Sequence, residues 1–227
     1  MSSSEPRPSG SSSVTETVER LRLARVIAVV RCDDAVEAVA IAEALVDGGI
    51  EAVELTFTTP GVEGALVEAR RRLAGRALLG AGTITTPEQL AAASAAEADF
   101  LVSPHVDVSL LEGMIATGRL AIPGALTPSE VAAAVRAGAS VVKLFPASTV
   151  GVRHLKALLG PFPGLQVIPT GGISPAAVHE WLSAGALAVG IGGELLPEGL
   201  VRARAWGEIA DRVSKVLNRS DERGELS

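Results

Sequence analysis

The sequence is poor in cysteine, histidine and aromatic residues, and each shortage excludes a class of site. Cys32 is the only cysteine among 227 residues, so an internal disulfide or a cysteine-cluster metal site is excluded. Aromatic residues make up 3% of the chain and the net charge is −6, which argues against nucleic-acid binding by a basic face or a stacking platform. The three histidines lie at 105, 154 and 179, and only His105 is at a predicted strand end, so no metal site is expected.

Long apolar runs are also lacking, although 48% of the residues are hydrophobic and the mean hydropathy is +0.36. No run reaches the roughly 18 residues of a membrane helix, so no membrane partner is predicted. The first 13 residues, MSSSEPRPSGSSS, lack the apolar core of a secretory signal, and the interpretation is a cytoplasmic protein. Residues 1–17 and 219–227 are predicted to be disordered tails on one domain spanning 18–218.

Eight short runs rich in apolar and β-branched residues recur along the chain, with starts about 20 to 27 residues apart. They are RVIAVVR from Arg25, AVELTF from Ala52, ALLGAGT from Ala77, FLVSP from Phe100, LAIPGAL from Leu120, VVKLFP from Val141, QVIPTGG from Gln166 and LAVGIGG from Leu187. Runs that are apolar at both odd and even positions are typical of strands covered on both faces.

Alanine-rich stretches with helical spacing separate these runs. Several begin with a capping residue followed by proline, at Thr86, Thr127 and Ser174, and the chain is predicted to end in a helix from about Val201 to Leu217. Asp34 is a capping candidate for the stretch after the first strand. Eight βα units predict an α/β protein built as a single (β/α)8, or TIM, barrel. A doubly wound open sheet is the alternative, but no G-x-G-x-x-G follows the first strand.

Catalytic groups of such barrels lie at the carboxyl ends of the strands, and the sixth predicted strand has a lysine there. Lys143 stands between Val142 and Leu144, whereas the other two lysines lie in helical stretches. Burial of an ammonium costs several kcal/mol unless it is paired or deprotonated. A desolvated neutral amine can attack a carbonyl to form a Schiff base, which an arginine cannot do. The structural alternative is a salt-bridged lysine at the barrel edge.

Glu54 interrupts the second predicted strand in the same way, between Val53 and Leu55. A carboxylate inside the barrel can relay protons to and from a Schiff base. The alternative is an ion pair with Lys143 that leaves both groups idle. Polar or glycine residues also end other strands, among them Thr170 after the seventh and Gly193 after the eighth.

Six motifs make the sequence resemble the 2-keto-3-deoxy-6-phosphogluconate (KDPG) and 4-hydroxy-2-oxoglutarate (KHG) aldolase family. They are GGIEAVELTFTTP, LLGAGTI, FLVSPH, IPGALTPSE, VVKLFPAS and PTGGI, in order on the expected strands across about residues 18 to 218. The resemblance implies a metal-free class I pyruvate aldolase with a (β/α)8 barrel, which is usually a homotrimer. It implies a small-molecule 2-keto acid substrate and no cofactor.

The resemblance also implies roles for residues at matching positions. Lys143 would form the Schiff base and Glu54 would be the general acid and base. Thr83 would contact the pyruvyl carboxylate, and Pro104 and Phe145 would line the pyruvate pocket. A further set at the ends of the last two strands would bind the rest of the substrate: Thr170, Gly171, Gly172, Gly193 and Glu194.

The sequence departs from the family pattern at two positions. Many members have an arginine for the substrate carboxylate where this chain has Thr58. Thr58 is kept as a candidate substrate-binding residue, and Arg31 on the neighbouring strand is predicted to supply the missing cation. Members that bind phosphate commonly have a serine where this chain has Glu194. A carboxylate 4 Å from a phosphate charge costs roughly 4 kcal/mol at an effective dielectric near 20. Either Glu194 turns away, or the preferred substrate lacks the phosphate.

The predicted function is therefore the reversible cleavage of a 4-hydroxy-2-keto acid to pyruvate and an aldehyde. KDPG, which gives glyceraldehyde 3-phosphate, is the first candidate, and KHG gives glyoxylate. The same chemistry on an unphosphorylated 2-keto-3-deoxy sugar acid is an alternative. A phosphosugar isomerase or epimerase, a metal-dependent aldolase and a catalytically silent binding barrel are others.

Overall fold

The computed structural model describes residues 13–222, with side chains to residue 217, as short strands that alternate with helices. The strands are β1 (Val26–Val30), β2 (Ala52–Thr56), β3 (Leu78–Gly82), β4 (Phe100–Val102), β5 (Leu120–Ile122), β6 (Gly124–Ala125), β7 (Val141–Leu144), β8 (Gln166–Pro169) and β9 (Val189–Ile191). The helices are α1 (Val14–Ala24), α2 (Ala35–Asp47), α3 (Val62–Leu73), α4 (Pro87–Ala95), α5 (Val108–Ala116), α6 (Pro128–Arg136), α7 (Gly151–Leu159), α8 (Val178–Ser183), α9 (Glu198–Arg202) and α10 (Trp206–Glu222).

All strand pairs are parallel, and they form two curled sheets. Six strands follow the order β5-β4-β3-β2-β1-β9, and three follow the order β6-β7-β8. Each predicted strand is present, and the parallel α/β class is confirmed. Parallel strands need helical crossovers, and the α-helices between successive strands provide them.

The fifth predicted strand is divided at Pro123 into β5 and β6, which belong to different sheets. Proline has no N–H to donate to a neighbouring strand, so the ladder is interrupted where it stands. Its carbonyl still accepts a hydrogen bond from the Lys143 N–H at 2.9 Å, which links the two halves to β7.

Side chains on the concave face of the strands form an inner apolar cluster. Phe100 is fully buried there, and Gly80 on β3 leaves space for its ring, because a methyl group at Gly80 would collide with it. Helix α1 packs Val18 and Leu21 into this cluster. The convex face packs against the surrounding helices in a larger second cluster that includes Val53, Leu55 and their equivalents.

Three of the four predicted helix caps are confirmed, and the fourth is wrong. The side chains of Asp34, Thr86 and Thr127 accept hydrogen bonds from backbone N–H groups in the first turns of α2, α4 and α6. Ser174 makes no such bond, because Pro175 begins a short 3-10 turn over Pro175–Ala177 and α8 starts only after it.

The single C-terminal helix predicted from Val201 to Leu217 is instead two helices, α9 and α10. Arg204 adopts a φ of 51°, a left-handed conformation that ends α9 before α10 begins.

At the amino-terminal end, α1 begins at Val14 and buries Thr17, so the helix starts inside the segment predicted as an N-terminal tail. The rest of that tail, 1–12, lies outside the described residues, as does 223–227 of the predicted C-terminal tail; α10 includes the part before it. No helix in the described part of the chain is long and apolar enough to cross a membrane.

Candidate active site

The alternation of side chains along β2 and β7 delivers two charged groups to the concave face. On β2, Ala52 belongs to the inner cluster while Val53 and Leu55 face the helices, so Glu54 points inward. On β7, Val141 is in the inner cluster and Val142 faces outward, so Lys143 also points inward. Both residues lie near the carboxyl ends of their strands.

Lys143 and Glu54 form a buried pair that joins the two sheets. Lys143 Nζ lies 3.6 Å from Glu54 Oε1, and the side chains are 7% and 4% exposed. Glu54 Oε1 has no hydrogen-bond partner within the described residues, so the pair is close but not locked in a hydrogen bond. Breaking such a pair leaves an uncompensated buried charge, which explains why neither residue stands alone.

Phe145, two residues after Lys143, also faces the site. Lys143 Nζ lies 5.3 Å from the centroid of the Phe145 ring, within the range of a cation–π contact. The ring is partly exposed, at 36%, and forms an apolar wall beside the amine. Phe145 thus lies on the same side of the strand as Lys143.

Gly82 at the end of β3 makes room for the Glu54 carboxylate. Residue 82 is the register partner of Thr56 on β2, and a methyl group there would overlap Glu54 Oε1. Glycine inside a strand weakens the strand because it has no side chain to pack. It is often found where another group approaches the backbone closely, as the Glu54 carboxylate does here.

A cavity of about 800 Å³ opens above this pair at the carboxyl ends of the strands. Eleven of the twelve residues predicted for the site line it: Arg31, Glu54, Thr83, Pro104, Lys143, Phe145, Thr170, Gly171, Gly172, Gly193 and Glu194. They come from seven different strands or the loops that follow them, which is how this type of fold assembles a site. His105, the one histidine predicted at a strand end, does not line the cavity.

Thr58 is the exception: it does not line the cavity, and its role in substrate binding stays a prediction. Its exposed hydroxyl lies 2.9 Å from the Thr56 hydroxyl and does not line the cavity. Thr56 does line it, and its single O–H donates to the Val30 carbonyl at 3.1 Å, so the Thr58 hydroxyl donates to Thr56. Thr56 was not predicted as a site residue. The alternation of side chains along a strand could have indicated it, because Thr56 lies two residues after Glu54 and therefore on the same face of β2.

Two backbone features shape the floor and side of the cavity. Thr83 has a φ of 58°, and a β-branched residue in this left-handed region is strained. Gly171 and Gly172 have φ values of 99° and 68°, which glycine adopts without that cost. A side chain at Gly171 would crowd the Phe145 ring, so the glycine keeps the ring edge accessible.

The outer wall of the cavity carries charges of both signs. Besides Arg31 and Glu194 it includes four residues that sequence reasoning missed: Asp33, Glu37, Glu198 and Arg202. Arg202 forms an ion pair with Glu198 one helical turn away. No pattern in the sequence marks these residues, since they reach the cavity from the loop before α2, the first turn of α2 and the two ends of α9.

Cys32 also lines this wall. Burial raises the pKa of its thiol above the ordinary value, against the opposing effect of a hydrogen bond with the Asp34 backbone. The thiol is therefore kept protonated and is not suited to nucleophilic work. In residues 13–222, no group of three or more His, Cys, Asp or Glu side chains is placed to hold a metal ion.

The fold and the site together define a class: a parallel α/β enzyme with a buried lysine–carboxylate pair at the carboxyl ends of its strands. The sequence model of the family described as "Aldolase: KDPG and KHG aldolase" matches residues 17–212. The chain therefore belongs to the KDPG and KHG aldolase family and is an aldolase, a carbon–carbon lyase, as the motifs predicted.

Individual relatives agree with this assignment. The chain is 38% identical over 195 residues to the 2-dehydro-3-deoxy-phosphogluconate aldolase of Pseudoalteromonas atlantica, covering 85% of this chain and 89% of that one. It is 32% identical over 174 residues to the 2-dehydro-3-deoxy-6-phosphogalactonate aldolase of Escherichia coli, covering 76% and 85%.

Among solved structures, the chain resembles a KDPG aldolase of Legionella pneumophila, which holds pyruvate captured at low pH as a covalent carbinolamine intermediate. The TM-score is 0.81 at 32% sequence identity, and the match covers 88% of this chain and 97% of that one.

Proposed function

We propose that this chain is a class I pyruvate aldolase in which Lys143 forms the Schiff base and Glu54 moves the protons. The observation that carries the proposal is the buried pair, 3.6 Å apart, at the base of a cavity large enough for a sugar acid. A pair that served packing alone would have no need of an open cavity above it. Membership of the aldolase family removes the isomerase and epimerase alternative.

The first half of the reaction makes the imine. Glu54 accepts a proton from Lys143, and the neutral amine attacks the C2 carbonyl of a 4-hydroxy-2-keto acid to form a carbinolamine. The carbinolamine hydroxyl leaves as water, with the proton supplied from Glu54, and a protonated imine remains. The Phe145 ring stabilises this cation on one side, since it already lies within cation–π distance of Nζ.

The second half breaks the carbon–carbon bond. Glu54 takes the proton of the C4 hydroxyl, the C3–C4 bond cleaves, and its electron pair moves into the imine to give an enamine while the aldehyde departs. Protonation of C3 and addition of water then release pyruvate and the free amine. The substrate is neither oxidised nor reduced overall, so the proton transfers and the imine chemistry of Glu54 and Lys143 are enough for the proposed reaction.

Arg31 is proposed to bind the C1 carboxylate of the substrate. The guanidinium lines the cavity and has no ion-pair partner in the described part of the chain. Thr83 is proposed as a second carboxylate contact, which would explain its strained backbone. Pro104 and Phe145 form the apolar walls around the pyruvyl methylene.

Trapping with borohydride in the presence of pyruvate tests the proposal directly. The wild-type protein is expected to gain the mass of one reduced pyruvyl group at Lys143, and Lys143→Ala is expected to gain none. Lys156→Ala is the matched control, because Lys156 is exposed on α7 away from the cavity. Unmodified wild-type protein would overturn the role proposed for Lys143.

Kinetics separate the roles of the other groups. Glu54→Gln is expected to lower kcat about 10²- to 10⁴-fold, while the yield of imine trapping falls less.

Arg31→Ala is expected to raise KM for the 2-keto acid about tenfold, because loss of one charge-assisted hydrogen bond weakens binding by about that factor. An unchanged KM would reject Arg31 as the carboxylate ligand, and loss of wild-type activity on chelation would reject the metal-free mechanism.

The architecture proposed for this function is one closed (β/α)8 barrel. The bond from the Lys143 N–H to the Pro123 carbonyl supports closure on one side, and a parallel bridge between Thr170 and Gly190 supports it on the other. Such a domain would take in the predicted span 18–218 together with the start of α1. The homotrimer is proposed from the family resemblance, and the cytoplasmic location stays a prediction.

A further inference from the structure

The segment that carries Arg31 lies just past the pairing of β1 with β2. The last register pair is Val30 with Leu55, one residue before Arg31. On β1, Ile27 belongs to the inner cluster and Val29 lines the cavity, so Arg31 continues on the inward face. A long side chain at a loose strand end would lose much conformational entropy on binding an anion. The direction of Arg31 therefore depends on what holds the backbone around it.

Two threonine hydroxyls hold the peptide groups on either side of Arg31. The Thr56 hydroxyl donates to the Val30 carbonyl at 3.1 Å, and the Thr59 hydroxyl accepts from the Cys32 N–H at 3.2 Å. Thr56 and Thr59 are 1% and 2% exposed, so water has little access to compete for these bonds. The peptide group before Arg31 and the peptide group after it are thus both fixed.

The turn that supplies these hydroxyls is itself anchored. The Thr59 N–H donates to the Thr56 carbonyl at 2.9 Å, and the Phe57 N–H donates to the Gly82 carbonyl on β3 at 2.8 Å. The turn follows directly from the strand of Glu54. It therefore ties the end of β1 to the two strands, β2 and β3, that place the Glu54 carboxylate.

The Thr59 hydroxyl serves neither the next helix nor the cavity surface. A threonine shortly before a helix usually caps that helix, but α3 has Gly61 as its N-cap, and the Thr59 hydroxyl is bonded to Cys32 instead. Among the described residues that line the cavity, Thr56 is included and Thr59 is not. Any effect of Thr59 on substrate binding must therefore pass through another residue.

We propose that Thr59 is a positioning residue that holds Arg31 in the direction of the substrate carboxylate. This proposal rests on the proposed function, because it takes Arg31 as the carboxylate ligand. A guanidinium on a fixed backbone loses less conformational entropy when the substrate binds, so binding is tighter. Thr56 shares the task on the other side of Arg31, but it also lines the cavity, so Thr59 gives the cleaner test.

The test measures how borohydride trapping depends on pyruvate concentration. Pyruvate carries the C1 carboxylate and nothing beyond its methyl group, so its half-saturating concentration reports on the carboxylate contact. Thr59→Val removes the hydroxyl at nearly constant volume and is expected to raise this concentration about three- to tenfold. The kcat for aldol cleavage is expected to change less than about twofold, and Thr59→Ser, which keeps the hydroxyl, to restore wild-type binding within about twofold.

A double variant separates positioning from a general structural role. In the Arg31→Ala background, Thr59→Val is expected to raise the half-saturating concentration less than about 1.5-fold, because no guanidinium remains to be positioned. Thr117→Val is the matched control. The Thr117 hydroxyl also accepts from a backbone N–H at 3.2 Å, that of Arg119, but before the amino end of β5 and away from the cavity. This control is expected to bind pyruvate as the wild type does.

The proposal is overturned if Thr59→Val leaves the half-saturating concentration unchanged, or raises it equally in both backgrounds. Thr59→Ala repeats the comparison if valine prevents folding. Hydrogen exchange of the Cys32 amide gives a reading in the wild-type protein itself. The amide is expected to be protected, and exchange at the rate of an unstructured peptide would also reject the proposal.

The same trapping data separate failure of this proposal from failure of the proposed function. Absence of any wild-type adduct rejects both. An adduct whose half-saturating concentration is unchanged in Arg31→Ala rejects Arg31 as the carboxylate ligand, and the role of Thr59 with it, but leaves Lys143 as the nucleophile. Weaker binding in Arg31→Ala together with no effect of Thr59→Val rejects the positioning role alone.

Discussion

At the scale of single residues, the site depends on a side chain that is missing. Gly82 on β3 borders the Glu54 carboxylate so closely that a methyl group would overlap Oε1. The same residue has an ordinary strand conformation, so alanine could be accommodated by its backbone. The space at Gly82 is therefore what permits the carboxylate to lie beside Lys143.

Gly82→Ala is expected to lower kcat about a hundredfold by displacing the Glu54 carboxylate from its position near Lys143. Pyruvate trapping is expected to persist, because Lys143 itself is untouched. Gly64→Ala is the matched control, since Gly64 lies on α3 with no atom close enough to meet an added methyl group. A wild-type kcat in Gly82→Ala would contradict the argument.

The sequence identified Lys143 and Glu54 because each interrupts an apolar strand, and burial makes such interruptions costly unless they have a purpose. Thr56 and Gly82 were not identified. A threonine at a strand end and a glycine in LLGAGT are common features, and their importance follows from cross-strand register. Asp33 and Glu37 escaped notice for a related reason, since helix-start carboxylates usually serve as caps.

At the scale of elements, the start of α6 shows how local sequence determines a boundary. The Thr127 side chain accepts from the Glu130 N–H, and the Glu130 carboxylate accepts from the N–H groups of Leu126 and Thr127. These bonds lower the pKa of the Glu130 carboxyl below its ordinary value. The reciprocal arrangement satisfies backbone donors that have no partner within the helix.

Thr127→Ala is expected to reduce the free energy of unfolding by about 1 kcal/mol, measured by urea denaturation at neutral pH. Ser129→Ala, an exposed change in the same turn, is expected to cost less than about 0.5 kcal/mol. A lowered folded-state pKa means that the carboxylate contribution is present above the unfolded value of about 4.3 and is lost as the pH falls through the folded value. The Thr127 hydroxyl donates to this carboxylate at 2.8 Å, so the cost of Thr127→Ala should shrink in acid. An equal cost at both pH values would contradict the role of Glu130.

Elements marked by strong local chemistry were predicted well, and those decided by long-range geometry were not. Asp34, Thr86 and Thr127 cap helices as their sequences indicate. Pro123 lies within the fifth predicted strand, but its effect, a ladder shared between two sheets, depends on the neighbouring strands. The break between α9 and α10 contains neither proline nor a glycine stop, so nothing in the pattern revealed it.

At the scale of the whole molecule, α1 closes the end of the strands opposite the cavity. Val18 and Leu21 pack into the inner cluster together with Phe100 and residues from the amino ends of several strands. Without this helix, the apolar lining of the interior would face water. The helix therefore belongs to the core even though it precedes the first strand.

Leu21→Ala is expected to destabilise the protein by about 2–5 kcal/mol, because it removes a fully buried side chain. Leu23→Ala in the same helix, where Leu23 is 75% exposed, is expected to cost less than about 0.5 kcal/mol. Chemical denaturation of both variants measures the difference. Equal, small costs would mean that α1 does not seal the interior.

The placement of Glu54 in one sheet and Lys143 in the other has a consequence for assembly of the chain. A fragment ending near Leu126 would hold the proposed proton-transfer group, Glu54, and the complementary fragment would hold the proposed nucleophile, Lys143. Neither fragment could turn over substrate by itself. Catalysis in this protein is thus a direct reporter of whether its two halves have come together, in refolding from denaturant or in complementation of separately produced fragments.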